Sequence, residues 1–246
     1  MNLVKKHLVA ILLIVLLLSA CSPEKKESDK YQNDVSASED EGHGAGEQSD
    51  NQQIASDNMQ AINRLKAVMT GDEDFFETGL EQQLNINELN KVVSSDSAIT
   101  AEVKEYTVVD LDTDGIDEIV LWLSANGDDN YGCEILRYHD AEVYGYLMWY
   151  RAFNSLKSDG TFSFSGGAAD TGFGKLIFDG KGFRTERIVY SKSDYGSDNE
   201  IVVSFFVNDE EATQSLFETE LQKQSEKKDA VRCEFTVANI ETLMEE

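Results

Sequence analysis

Hydrophobic spacing divides the chain into helical ends and a β-rich middle. Ile54, Ile62, Leu65 and Met69 fall on one face at intervals of eight, three and four residues, with Ser56 or Asp57 placed to cap the helix they predict. A short segment around Phe75, Phe76 and Leu80 is expected to pack behind that helix. From Tyr106 to Phe206 the pattern changes to eight short runs rich in β-branched and aromatic residues: "YTVV", "EIVLWL", "CEILRY", "EVYGYLMWY", "TFSFS", "KLIF", "FRTERIVY" and "IVVSFF". Their close spacing predicts an antiparallel meander. In "TFSFS", Phe162 and Phe164 share one face while Thr161, Ser163 and Ser165 share the other, so one side of the sheet is buried and one is wet. Asp159-Gly160 and Asp179 to Gly182 carry hairpin chemistry, and the runs they join are expected to be sheet neighbours. Helical spacing returns with Leu216, Phe217 and Leu221, and a last short helix presents Ile240 and Leu243. The predicted fold is α+β: one antiparallel sheet with helices from both ends of the chain packed on it.

The N-terminal stretch follows a different logic. Lys5 and Lys6 precede "HLVAILLIVLLLSA", an apolar run too short for a stable span and followed by the small residues Ser19 and Ala20, as a signal peptide requires. Leu18-Ser19-Ala20-Cys21 resembles the lipobox of bacterial lipoproteins, and the resemblance implies that Cys21 is acylated and becomes the mature N-terminus. Residues 22–52 contain nine acids, three lysines and almost no apolar side chains, so they cannot build a core. They read as a disordered acidic tether with a reach of roughly 30 Å. The expected organisation is a signal peptide over 1–20, a lipidated cysteine and tether over 21–52, and a single domain over 53–246. The expected address is the extracytoplasmic face of the cell membrane, with the lipid anchor as the membrane contact.

Charge narrows the partners. The formal net charge is −26, and removal of residues 1–20, with two lysines and no acids, brings it to −28. Such a field repels phosphate backbones and attracts cations, so nucleic acid is not an expected partner. Cys133 and Cys233 both sit in strand-like contexts; they are either a disulfide or two buried thiols that act as small hydrophobes.

The most informative motif is "DLDTDGIDE". Asp110, Asp112 and Asp114 alternate at positions 1, 3 and 5, and Gly115 at position 6 permits a sharp turn. Calcium takes six to eight oxygen ligands, and a short loop supplies them with alternating carboxylates, a backbone carbonyl at position 7, here that of Ile116, and a further acid, here Glu118. Strand-like flanks and Leu121 at position 12 exclude an EF-hand. The segment resembles the strand–loop–strand calcium loop of FG-GAP repeats, with Glu118 where that family usually has aspartate. The expected cofactor is a structural calcium ion that cancels carboxylate repulsion.

A second candidate is "SGGAADTGFGKL". Its glycines leave backbone amides uncovered, and Asp170 and Phe173 could hydrogen-bond and stack on a sugar or peptide; a plain flexible hairpin is the alternative. It is not a P-loop, because Ala169 and Leu176 stand where that motif needs glycine and Ser or Thr. His139 is the domain's only histidine, and there is no HExxH, CxxC or GxSxG, so catalysis is the weaker expectation. The order of "VVDLDTDGIDEIVL", the stretch from Glu142 to Leu176 and "EKKDAVRCEF" resembles an uncharacterised family of exported lipoproteins of Gram-positive bacteria, which implies an address and no activity. The expected function is a lipid-anchored binding or scaffolding protein with an unknown surface ligand. The alternative is an envelope hydrolase with a carboxylate pair in a concave pocket. A solute-binding lipoprotein fits poorly, since it needs two α/β lobes.

Overall fold

The strand β4 (Glu118–Ala125) is buried along its entire length, because its continuous apolar run is covered on both faces. In the computed structural model, which describes residues 46–94, 98–167 and 169–243, β4 is an interior strand of a seven-stranded sheet. Its neighbours are β3 (Ala101–Val109) and β5 (Asp128–His139), followed on the β5 side by β6 (Glu142–Trp149), β1 (Phe75–Glu77) and β2 (Gln82–Leu84), and on the β3 side by β12 (Cys233–Glu234). A second sheet of five strands runs β11 (Glu210–Ala212), β10 (Ile201–Val207), β9 (Gly182–Tyr195), β8 (Thr171–Asp179) and β7 (Phe162–Ser165).

All eight predicted runs are strands, yet they form two sheets. The chain leaves the first sheet after Trp149 and enters the second at Phe162. The Asp159-Gly160 turn therefore does not join sheet neighbours: it closes a small local hairpin in which Lys157 N donates to Thr161 O at 2.7 Å. Nor is the first sheet a plain meander, since β1 pairs in parallel with β6. The segment around Phe75 supplies this extra strand; Phe75 is buried, while Leu80 is exposed. The fold is mostly antiparallel sheet with a few helices.

Side-chain alternation builds the layers. Ile119, Leu121 and Leu123 of β4 face α1 (Gly46–Thr70), α2 (Asn90–Val93) and α4 (Val237–Thr242), packing with Leu65, Met69, Val93 and Ile240. Val120 and Trp122 face the second sheet, packing with Ile135, Tyr146, Phe153, Phe162 and Leu176. The far face of the second sheet uses Phe173 and Val189 to hold Phe217 and Leu221 of α3 (Gln214–Ser225). Gly172 makes close pairing possible there, because a Cβ on it would lie 2.2 Å from the Val189 carbonyl oxygen.

Helix α1 begins at Gly46, earlier than the expected cap and inside the stretch read as tether. Asp57 serves as an in-helix partner, its Oδ1 accepting from Gln53 Nε2 at 2.7 Å. Once the apolar stripe has nucleated the helix, extension through "GEQSDNQQ" costs little. The signal segment, Cys21 and residues 22–45 of the tether lie outside the described residues. Among the described residues, no helix is long and apolar enough to cross a membrane.

The two cysteines are not bonded to each other. Cys133 is a free, buried thiol on the face toward the second sheet, whereas Cys233 packs on the helical face. Of the aromatic residues on β6 and just after it, Tyr144, Tyr146 and Phe153 are core, while Trp149 and Tyr150 are exposed.

Candidate metal centre

Residues 110–117 connect β3 to β4 and are held from several sides. Leu111 is fully buried in the core between the sheets and anchors the loop from within. Asn58 of α1 clamps its end: Oδ1 accepts from Asp117 N at 3.1 Å, and Nδ2 donates to Asp117 Oδ2 at 3.3 Å. Gly160 closes against its start. With φ +78°, a Cβ there would lie 2.8 Å and 2.9 Å from the carbonyl oxygens of Asp110 and Leu111. A substitution at Gly160 meets both an unfavourable backbone conformation and immovable backbone atoms.

Within the loop, the aspartates organise their own backbone. Asp110 Oδ1 accepts from Thr113 N at 2.6 Å, and its Oδ2 accepts from Gly115 N at 3.1 Å. Asp112 Oδ1 accepts from Asp114 N at 3.2 Å, and Asp114 Oδ1 accepts from Ile116 N at 2.7 Å. Gly115 takes φ +90°, the conformation expected of it. Asp110, Asp112 and Glu118 each offer an oxygen, and the three atoms lie within 4.8 Å of one another. Asp114 is not part of that group; Ile116 follows it in the turn.

Glu118 opens the buried strand β4, and its side chain is 1 % exposed. Its Oε2 accepts from Leu111 N at 2.9 Å, and Arg137 Nε lies 3.7 Å from Oε1. Burial raises its proton affinity well above the ordinary carboxylate value, and the charges of Asp112 and Asp114 add to this; Leu111 N–H and Arg137 oppose it without prevailing. Asp112 is raised chiefly by burial and then by Asp114. Hard oxygen donors gathered in a partly buried, mutually repelling set fit a small divalent cation. Calcium held there by Asp110, Asp112 and Glu118 would stabilise carboxylate charge that burial has stripped of solvation by water.

Arg137 was not singled out from the sequence. It lies on the same face of β5 as Cys133 and Ile135, donates from Nη1 to Gly180 O at 3.2 Å and stacks 4.6 Å above the Phe178 ring. An arginine placed two residues after two core positions was the available signal, since a buried guanidinium requires an acidic partner.

The glycine-rich candidate does not bring its two residues to one neighbour. Asp170 Oδ1 accepts from Ser193 N at 2.5 Å, pinning the loop to β9. Phe173 points to the other side, under α3, and borders a groove of about 470 Å³. His139 closes the β5–β6 hairpin with Nε2 3.4 Å from Asp140.

Two further buried acids, Glu77 and Glu134, lie on the helical face of the first sheet and border neither this groove nor the cleft beside Trp122. That cleft, of about 550 Å³, is lined by a single acid among the described residues, Asp229. Comparison of the chain with protein-family models, curated proteins and solved structures finds no match.

Proposed function

We propose that the chain is a lipid-anchored, extracytoplasmic binding or scaffolding protein whose acidic loop takes a structural calcium ion. The observation that carries the cation reading is the convergence of Asp110, Asp112 and Glu118 beside a buried strand, where burial, with Asp112 and Asp114 adding to it, makes Glu118 hold its proton more readily despite Arg137 nearby. A divalent cation there would offset the repulsion and lock the β3–β4 turn to α1 and Gly160. Asp114, which stands outside that group, and the Ile116 carbonyl would have to turn toward the ion to complete the proposed ligand set. Extracellular calcium sites commonly have dissociation constants of roughly 10⁻⁴ to 10⁻³ M, which suits a protein exposed to millimolar calcium.

Calorimetric titration of calcium, with magnesium as control, into the chelator-treated full chain tests this directly. Calcium is expected to raise the melting temperature of the wild type and to leave Asp112→Ala unchanged. No heat and no melting shift at several millimolar calcium would sink the cation reading. The anchor is tested separately. Cys21→Ser is expected to move the protein from the membrane fraction to the soluble fraction, since stable anchoring depends on the acyl chains. Unchanged membrane association in that variant would remove the lipoprotein reading.

A further inference from the structure

We infer that the cleft beside Trp122 is a binding site for a small organic anion, a hexose-sized molecule carrying a carboxylate or phosphate. The site extends the binding reading above and does not depend on a cation in the acidic loop. Its volume of about 550 Å³ lies within the range of small-molecule sites. The walls come from three parts of the fold: Thr107 and Trp122 on the first sheet, the segment 154–157 between the sheets, and the segment 229–232 after α3. The last two are laced together by Ala230 N donating to Leu156 O at 3.0 Å and Ser158 N donating to Lys228 O at 3.0 Å. The cleft therefore has a rigid floor.

Two cations define its chemistry. Lys157 is buried, and its Nζ donates to Ser225 O at 2.9 Å and to Asp229 Oδ1 at 2.6 Å. These bonds use two of the three ammonium donors. The ammonium is fixed, but its counter-ion is not: the Asp229 side chain is 78 % exposed and loses little by turning into water. Arg232 sits over Trp122, with its guanidinium carbon 3.6 Å from the ring centroid, and the indole is itself held by Nε1 donating to Thr107 Oγ1 at 3.1 Å. This contact holds the guanidinium in place while most of its five donors stay available, since among the described residues only Nη1 has a carboxylate neighbour, Glu105 at 3.4 Å.

A ligand oxyanion can replace Asp229 beside Lys157 and leave the buried ammonium paired throughout. A neutral or cationic ligand has no such exchange to make. Local charge favours the anion as well. Among the described residues, the lining itself holds two cations, Lys157 and Arg232, against one acid, Asp229, within a chain of net charge −26. At the rim, Ser155 adopts φ +46°, a conformation rarely taken by residues other than glycine, and it directs its N–H to Asn154 Oδ1 at 2.8 Å. Strain of this kind persists where surrounding structure enforces it, and it concentrates at binding sites. The Asn154 amide and Ser155 hydroxyl add donors that suit a polyhydroxylated body.

The test is titration of glucuronate, glucose 6-phosphate and glucose into the full chain, kept in chelator so that no divalent cation contributes. One or both anions are expected to bind at least about tenfold more tightly than glucose, and the preferred one identifies the group as carboxylate or phosphate. Asp229→Asn should strengthen anion binding severalfold by neutralising the resident competitor, a gain that a merely structural residue would not give. Lys157→Met should abolish binding, and Arg232→Gln, at a more exposed position, should weaken it even if loss of the buried ammonium prevents folding. Equal binding of glucose, no binding of either anion up to about 10 mM, or weaker anion binding in Asp229→Asn would each overturn the assignment. Loss of anion binding alongside an intact calcium-induced melting shift would remove the cleft and leave the acidic loop standing.

Discussion

Phe153→Ala is expected to destabilise the protein by about 3 to 5 kcal/mol, the range for deleting a large side chain from a closed core. Phe153 is fully buried between the sheets, with its ring centroid 4.4 Å from that of Phe162 and 6.1 Å from that of Trp122. It sits where the chain crosses from one sheet to the other and ties that crossing to β4 and β7. The cavity left by alanine would be bounded by strands paired in two different sheets, which cannot collapse together without breaking register. Urea titration followed by far-UV circular dichroism measures the loss. A cost below about 1 kcal/mol would mean that the crossing is held by its hydrogen bonds rather than by this ring. Because Trp122 and Asn154 also border the anion cleft, the same variant should lose anion binding as well.

Glu134→Gln is expected to flatten the dependence of stability on pH and to make the protein more stable than wild type in mildly alkaline buffer. Glu134 is wholly buried, neither carboxyl oxygen has a hydrogen-bond partner among the described residues, and Phe75 and the Glu134 carboxyl together fill the space above Gly145. Burial first, and the charge of Glu77 second, hold its proton well above the ordinary value of 4.5. The folded chain then keeps a proton that the unfolded chain releases. Stability contributed at this position is level below the unfolded value. It falls as pH rises between the unfolded and folded values, by up to about 1.4 kcal/mol per pH unit, and is lost in full above the folded value. Glutamine cannot ionise, so its curve lacks this component. Urea titrations of both proteins from pH 5 to pH 8 measure the difference; parallel curves would show that Glu134 finds a compensating partner on ionisation. Glu118 adds a component of the same sign to both proteins and cancels in the comparison.

The strands were legible because their signal is local. Eight apolar runs separated by glycine, aspartate and polar residues became eight strands, and the alternation placed Phe162 and Phe164 toward the core between the sheets. The wet face expected opposite them did not follow: Thr161 is buried, and Ser163 and Ser165 are only partly exposed, with Ser163 bordering the groove under α3. The turn at Gly115 was equally local, since alternating aspartates that hydrogen-bond their own backbone need few distant partners. The sheet count was not legible. Nothing between Trp149 and Phe162 announces that the chain changes sheet, because the aromatic residues there suit a continuing strand as well as a crossing. The parallel strand at Phe75–Glu77 was missed for a related reason: three residues carry too short a pattern, and only the vacant edge of β6 makes them a strand.

By itself, the sequence determined the local periods, the turn chemistry, the acidic balance and the residue types able to hold a cation, all of which depend on neighbours a few positions apart. Tertiary structure alone decided that Glu118 is buried with Arg137 beside it, that Asp114 stands outside the group formed by Asp110, Asp112 and Glu118, and that Lys157, Asp229 and Arg232 share a cleft with Trp122. Those outcomes depend on desolvation and on contacts between segments up to about a hundred positions apart. Burial turns an ordinary carboxylate or ammonium into one that must find a partner, and no spacing along a chain records how deeply a side chain will be buried.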